Sequence, residues 1–147
     1  MINELISISS PIEEKKTFFV WPEGIIPNTY EDQLDLYNDI FEKYFSENHL
    51  IGLGITSRKT KNNDYNYYNS FSIFDSKVNL IDNYNKIKLV PFGEFVPIEN
   101  ILNKFGLKTI TNNIGSFEKG VSRKIIKIQN DLKQINFLPL ICYEIIY

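Results

Sequence analysis

The sequence predicts an α/β domain, because two strand-like apolar runs flank one long amphipathic segment. The runs are TFFVW at 17–21 and LIGLGIT at 50–56, and residues 29–49 between them repeat apolar side chains at helical spacing. A strand, a helix and a strand in that order predict a crossover that joins two parallel strands of one sheet. The chain has 147 residues, of which 43% are hydrophobic and 23% are charged, so we expect one globular domain.

The first half of the chain predicts a buried strand, a capped helix and a second strand. The run at 17–21 has no polar alternation, which is typical of a strand covered on both faces. Thr29 is the predicted N-cap of the helix, and Glu31 and Asp32 in its first turn complement the helix dipole. The polar stretch SRKTKNNDYN at 57–66 predicts a surface loop.

The second half of the chain predicts shorter elements. The alternating run YYNSFSIF at 67–74 predicts a half-exposed strand, and INFLPLIC at 135–142 predicts a buried strand that ends at the single cysteine. Two weaker strands are predicted at 79–85 and 123–129. A short helix at 98–106, which ends at Gly106, and a turn at 116–120 complete the prediction.

Composition and charge exclude several classes of function. A net charge of −2 and a pI near 5.5 give no basic surface, so nucleic acid is not an expected partner. One cysteine cannot form an intramolecular disulfide. No run approaches the ~20 apolar residues of a membrane-spanning helix, and residues 1–16 lack the apolar core of a signal peptide. The sequence also lacks clusters of metal-ligating residues, so no metal is expected.

Three chemically reactive residues follow predicted strands. Glu23 comes after the first strand, Lys86 after the strand at 79–85, and Cys142 at the end of the last run. In open α/β sheets, ligands bind outside the carboxyl ends of the strands. A cysteine can form a thioester, a carboxylate can take its proton, and an ammonium can stabilise the oxyanion, so these residue types together indicate acyl transfer.

Each of the three residues also has a plain structural interpretation. A single cysteine in an apolar run is commonly a small packing residue. Glu23 before Gly24 is compatible with a solvated turn, and Lys86 is compatible with a hydrated lysine at a strand end. The residue types alone therefore leave both interpretations open.

Three longer motifs resemble the carbon–nitrogen hydrolase (nitrilase) superfamily. They are FFVWPEGIIP at 18–27, YNKIKLVPFGEFVP at 84–97 and LICYEIIY at 140–147. Within the superfamily, the WPE and LVPFGE segments are similar to the apolipoprotein N-acyltransferases, and the resemblance covers nearly the whole chain from residue 17 onward. It implies an α-β-β-α sandwich of the nitrilase type.

The resemblance also implies a role for each matched residue. Glu23 corresponds to the general base, Lys86 to the cation that stabilises the oxyanion, and Cys142 to the acylated nucleophile. Glu94 is expected to orient Lys86 or the incoming amine. Tyr143 and Glu144, which follow the nucleophile, are expected to shape its pocket, and the backbone N–H of Tyr143 is a candidate second donor to the oxyanion.

The reaction implied by the resemblance is a ping-pong acyl transfer. A phospholipid gives an acyl chain to the cysteine, and the thioester then acylates the α-amino group of an apolipoprotein's lipid-modified N-terminal cysteine. No metal or organic cofactor is implied. The family is bacterial and lies in the inner membrane, with its catalytic domain facing the periplasm.

The chain departs from this family at both ends. The family carries transmembrane helices before the catalytic domain and further strands after the cysteine, so we expect residues 1–147 to be a partial, incomplete domain whose motif-bearing region is 17–147. We therefore expect weak or no activity from this chain alone. Two alternatives are a soluble, amidase-like carbon–nitrogen hydrolase and a non-catalytic remnant, or half of a split protein that pairs with a complementary half.

Overall fold

The computed structural model describes residues 1–95, 116–130 and 133–146. Two α-helices are present in these ranges, α1 (Ile2–Ser9) and α2 (Asn38–Tyr44), together with 3-10 helices at Glu31–Tyr37 and Cys142–Ile146. The strands are β1 (Thr17–Glu23), β2 (His49–Lys61), β3 (Asp64–Phe74), β4 (Leu80–Asn85), β5 (Ile126–Asn130) and β6 (Lys133–Phe137). The predicted helix at 98–106 lies outside the described residues.

The first four strands form one mixed sheet in the order β1-β2-β3-β4. β1 and β2 are parallel and are joined by the helical segment, as the crossover prediction requires. β3 is antiparallel to β2, and β4 is antiparallel to β3. β4 therefore runs in the same direction as β1, so the carboxyl ends of β1 and β4 lie at the same edge of the sheet. The predicted α/β class is confirmed.

The crossover helix differs from its prediction in continuity and in its cap. Residues Glu31–Tyr37 form a 3-10 helix before α2 begins at Asn38. Tyr30 is the N-cap instead of Thr29. Its backbone N–H donates to the Gln33 side chain at 3.2 Å, and its carbonyl accepts the Gln33 N–H at 2.9 Å. This reciprocal capping fixes the entry of the chain one residue later than the Thr29 hydroxyl would.

Two apolar cores pack on opposite faces of the sheet. On one face, α1 and the crossover cover inward-facing residues of β1 and β2, among them Trp21 and Leu53. On the other face, β5 and β6 cover a second core that includes Ile73, Tyr84 and Ile141. The prediction that the first strand is buried on both faces is wrong, because Val20 is 62% exposed at the edge of the sheet.

The predicted surface loop at 57–66 is instead the end of a long β-hairpin. β2 and β3 pair without interruption from Ile51↔Phe74 to Lys61↔Asp64. The two turn residues between them, Asn62 and Asn63, have φ values of 49° and 65°. Positive φ at both central residues is the geometry of the two-residue turns that match the twist of a hairpin.

The prediction of a last strand at 135–142 is also wrong at its carboxyl end. β6 ends at Phe137, and Cys142 begins the second 3-10 helix instead of closing a strand. Pro139 lies between them and cannot donate a ladder hydrogen bond, which explains the early end. Residues 134–136 of β6 are exposed, so this strand is not an interior one. Within the three described ranges, no helix is long and apolar enough to cross a membrane.

Candidate active site

Glu23 is the last residue of β1 and projects from an irregular strand end. The pairing with β2 shifts by one residue at Pro22, so Trp21 pairs with Leu53 and Glu23 with Gly54. A side chain at Gly54 would place its Cβ 2.5 Å from the Cα of Glu23. A glycine is therefore needed at position 54 for the main chain of Glu23 to lie this close to β2.

Lys86 follows β4 directly and forms a buried ion pair with Glu94. The Lys86 side chain is 1% exposed, and its Nζ lies 2.9 Å from both Oε1 and Oε2 of Glu94. The backbone N–H of Val90 donates to Glu94 Oε2 at 2.8 Å, which fixes the carboxylate from the other side. The interpretation of Lys86 as a hydrated surface lysine is wrong. The Glu94 carboxylate provides the paired partner that a lysine buried to this degree requires.

Asn69 of β3 joins the Glu23 carboxylate to this ion pair. Its side-chain Nδ2 donates to Glu23 Oε1 and to Glu94 Oε1, each at 2.5 Å. Its backbone carbonyl accepts the Lys86 N–H at 2.8 Å. Glu23, Glu94 and Lys86 therefore belong to one hydrogen-bonded network at the edge of the sheet that the strand directions predict.

The segment before β5 closes over the backbone of Lys86. Gly120 N–H donates to the Lys86 carbonyl at 2.8 Å, and a Cβ at Gly120 would lie 2.0 Å from the carbonyl oxygen of Asn85. Only a glycine allows this approach. The Phe117 N–H donates to the Glu94 carbonyl at 2.8 Å, and the Glu118 N–H donates to the Tyr67 carbonyl at 2.7 Å. The prediction of a turn at 116–120 is therefore wrong, because this segment is extended and forms a β-bridge between Phe117 and Tyr67.

Cys142 lies exposed in a left-handed turn. Its φ is 53°, a conformation that costs a non-glycine residue roughly 1–2 kcal/mol, and its side chain is accessible to solvent. The preceding residue, Ile141, is buried in the second core and anchors the turn. The interpretation of this cysteine as a small buried packing residue is therefore wrong.

Glu144 ties the turn of Cys142 to the residues that follow Lys86. Its Oε1 accepts the N–H groups of Ile87 and Lys88 at 2.8 and 3.0 Å, and its Oε2 accepts the Ile141 N–H at 3.0 Å. The Tyr84 hydroxyl donates to both oxygens at 3.0 and 3.1 Å. A single buried carboxylate thus fixes the main chain beside both Cys142 and Lys86.

The environment of Glu144 shifts two pKa values in opposite directions. Burial alone would raise the pKa of Glu144, but the hydrogen bonds from Ile141, Lys88, Ile87 and Tyr84 outweigh it, and the pKa is lowered. Burial, together with the adjacent Glu144 charge, raises the pKa of Tyr84 to about 12. The pair is therefore a carboxylate and a neutral phenol at neutral pH.

Two cavities of about 370 Å³ each lie beside these residues. The first opens at the carboxylates of Glu23 and Glu94 and at Asn69, with Tyr30 in its wall; neither Lys86 nor Cys142 lines it. The second is apolar and reaches the residue before the cysteine. Its lining consists of Phe18, Val20, Phe71, Ile135, Phe137, Pro139, Leu140 and Ile141.

The structure thus joins Lys86 and Glu94 directly and links Glu23 to them through Asn69. Glu144 hydrogen-bonds the residue before Cys142 and the two residues after Lys86. Tyr143 is 58% exposed and does not line the first cavity. The sequence analysis missed Asn69 and the anchoring contacts of Glu144. Asn69 is buried through tertiary contacts, so no local sequence pattern marks it.

The sequence is similar to known proteins over nearly its whole length. The profile of the family described as "Carbon-nitrogen hydrolase" matches residues 7–147. The "Apolipoprotein N-acyltransferase" of Rhizobium leguminosarum bv. trifolii (strain WSM2304) is 34% identical over 134 residues, which are 90% of this chain and 24% of that protein. The protein of the same name from Rhizobium rhizogenes (strain K84 / ATCC BAA-868) is 32% identical over 97% of this chain and 27% of its own length. The chain therefore spans about a quarter of the length of these relatives.

Solved structures of an N-terminal amidase have a more distant likeness. The complex with a Gln-Val peptide aligns with 93% of this chain and 35% of its own, at 10% identity and a TM-score of 0.48. The complex with an Asn-Glu-Ala peptide aligns at 11% identity and a TM-score of 0.43. Similarity at this level carries no information on the reaction of this chain.

Proposed function

We propose that this chain, which belongs to the carbon–nitrogen hydrolase family, carries the acyl-transfer site of an apolipoprotein N-acyltransferase. The observation that supports this most strongly is the network in which Asn69 joins Glu23 to the Lys86–Glu94 ion pair. An exposed cysteine in a left-handed turn, tied by Glu144 to the residues after Lys86, adds the nucleophile. The substrates and the membrane location of the relatives' family are part of this proposal.

In the first half-reaction, Cys142 is acylated. Glu23 takes the thiol proton, and the sulfur attacks the carbonyl carbon of a phospholipid ester. The Lys86 ammonium and the Tyr143 N–H stabilise the oxyanion of the tetrahedral intermediate. The intermediate collapses to a thioester, and the departing lysophospholipid alkoxide takes the proton back from Glu23.

In the second half-reaction, the α-amino group of an apolipoprotein attacks the thioester. Glu23 takes a proton from the amine, an amide bond forms as the carbon–sulfur bond breaks, and the departing Cys142 thiolate takes that proton from Glu23. Glu94 holds Lys86 in place through both steps, because its carboxylate contacts the ammonium with both oxygens. The apolar cavity that ends at Ile141 is suited to the acyl chain, since its lining is hydrocarbon and lies directly before the nucleophile.

The experiment is to incubate the protein with a diacyl phospholipid in detergent micelles and to measure its intact mass. The proposal predicts a hydroxylamine-sensitive mass increase of one acyl group, absent from Cys142→Ser and reduced at least about tenfold in Glu23→Gln. Glu47→Gln, a change at an exposed glutamate, is the matched control and is expected to acylate normally. No Cys142-dependent adduct, together with ammonia release from small amides, would instead support the amidase alternative.

A further inference from the structure

We propose that Asn69 is a positioning residue, which fixes the Glu23 carboxylate relative to the Lys86–Glu94 ion pair. Its role in acyl transfer depends on the function proposed above. The geometry itself is independent of that function, because it consists of contacts between side chains of β1, β3 and the turn that carries Glu94.

The two carboxylates can share Asn69 only through its amide nitrogen. A side-chain NH₂ group has two hydrogens, so it can donate one to Glu23 and one to Glu94. The opposite amide orientation would place a carbonyl oxygen against two carboxylate oxygens, which is repulsive. Asn69 is 6% exposed, so water does not readily replace these bonds.

Asn69 also holds the main chain of Lys86, whose side chain it helps to position through Glu94. Its carbonyl accepts the Lys86 N–H at 2.8 Å, while its Nδ2 contacts the partner of the Lys86 ammonium. One residue of β3 therefore sets the position of the lysine from its backbone and from its counter-ion. In contrast, the next residue, Ser70, donates to Asn85 Oδ1 at 2.8 Å and contacts none of the three charged groups.

Glu23 depends on this contact because it lies at an exposed strand end. Within residues 1–95, 116–130 and 133–146, the Asn69 amide is the donor that holds its carboxylate. A side chain without that donor samples several rotamers, and a displacement of about 1 Å from the reacting atom can reduce a rate about 100-fold. Asn69→Leu, which keeps the number and branching of the side-chain heavy atoms and removes both donors, is the informative substitution.

The kinetic test is a double-mutant cycle on the acylation of Cys142 by p-nitrophenyl octanoate. Asn69→Leu alone is expected to lower the acylation rate constant about 10- to 100-fold with an unchanged half-saturating ester concentration. In a Glu23→Gln background the same change is expected to cost less than about twofold, because the base it positions is already absent, while Glu94 keeps its bonds to Lys86 and to the Val90 N–H and the main-chain bond to Lys86 is unchanged. Ser70→Ala, which removes a buried hydrogen bond from the same strand, is expected to lower stability and leave the rate within about twofold. Equal factors for Asn69→Leu in both backgrounds would overturn the proposal.

A second measurement needs no turnover. In ¹H–¹⁵N spectra, the two side-chain amide protons of Asn69 are expected to lie downfield and to exchange slowly, with Glu23→Gln and Glu94→Gln each altering the pair. Exchange as fast as that of the exposed Asn62 side chain would overturn the proposal. If the wild type does not acylate but this signature is present, the proposed function fails and the positioning role stands. If the wild type acylates and the cycle is additive, the positioning role fails alone.

Discussion

Glu144→Gln is the substitution with the clearest expected effect on the fold around the candidate site. The carboxylate is buried and accepts hydrogen bonds from three backbone N–H groups and one phenol. Glutamine keeps the shape but replaces one acceptor oxygen with an NH₂ group. Whichever end carries the NH₂, a donor then faces the N–H of Ile141, or those of Ile87 and Lys88.

The expected loss in the free energy of unfolding follows from these contacts. At least one buried N–H loses its acceptor, which costs about 1–3 kcal/mol, and the remaining bonds lose the additional strength of a charged acceptor. The free energy of unfolding is therefore expected to fall by about 2–4 kcal/mol, a large part of the about 5–15 kcal/mol typical of a domain. At a urea dependence of about 2 kcal/mol/M, the middle of the usual range, the unfolding midpoint falls by about 1–2 M.

Urea titrations followed by fluorescence of Trp21, the single tryptophan, measure this change. Because the pKa of Glu144 is lower in the fold than in the unfolded chain, its contribution is complete above the unfolded value of about 4.3 and is lost as pH falls through the folded value. The difference between wild type and variant is therefore expected to shrink below about pH 4. Glu47→Gln is the exposed control. A Glu144→Gln midpoint equal to that of the wild type at pH 7 would refute the reasoning.

Three further changes test separate parts of the fold. Gly54→Ala would place a Cβ 2.5 Å from Glu23 Cα, so the urea midpoint is expected to fall by the equivalent of about 1–3 kcal/mol; an unchanged midpoint contradicts the close approach. Asn63→Gly relieves a φ of 65° and is expected to stabilise the hairpin by about 1 kcal/mol, raising Tm by about 2–4 °C; a lower Tm contradicts the turn geometry. Burial and Glu144 raise the pKa of Tyr84 to about 12, so stability present below about pH 10 is lost as pH rises through 12, and Tyr84→Phe is expected to flatten this loss. Equal slopes in wild type and Tyr84→Phe would contradict the assignment.

Patterns of apolar residues predicted the strands whose own side chains form the core. The runs at 17–21, 50–56 and 67–74 all lie within strands, and the order of strand, helical segment and strand gave the parallel pair. The hairpin at 57–66 was missed because its strands extend beyond the core, where polar side chains replace the apolar alternation. Its Asn-Asn pair is a turn signal that would have identified it.

Site residues near the ends of strands could be predicted from the sequence, whereas site residues positioned by tertiary contacts could not. Lys86 follows β4 as predicted, whereas Glu23 is the last residue of β1 instead of following it, and the strand directions bring both to one edge. Cys142 was misplaced at a strand end, although Pro139 indicated an earlier stop. The side-chain contacts of Asn69, and those of Glu144 with Tyr84, Ile87 and Lys88, join residues 25 to 60 positions apart along the chain, so no local pattern reveals them.

The proposed function requires that the fold make Cys142 a nucleophile, and the reactivity of its thiol toward an activated ester measures this directly. The test compares octanoyl transfer from p-nitrophenyl octanoate to Cys142 in the folded protein with transfer to a free peptide of residues 138–147, at the same pH. We expect transfer to the folded protein to be at least about 100 times faster than transfer to the peptide, and we expect Glu23→Gln to lose that advantage. Equal rates for the protein and the peptide, or an advantage that survives Glu23→Gln, would contradict the proposed function.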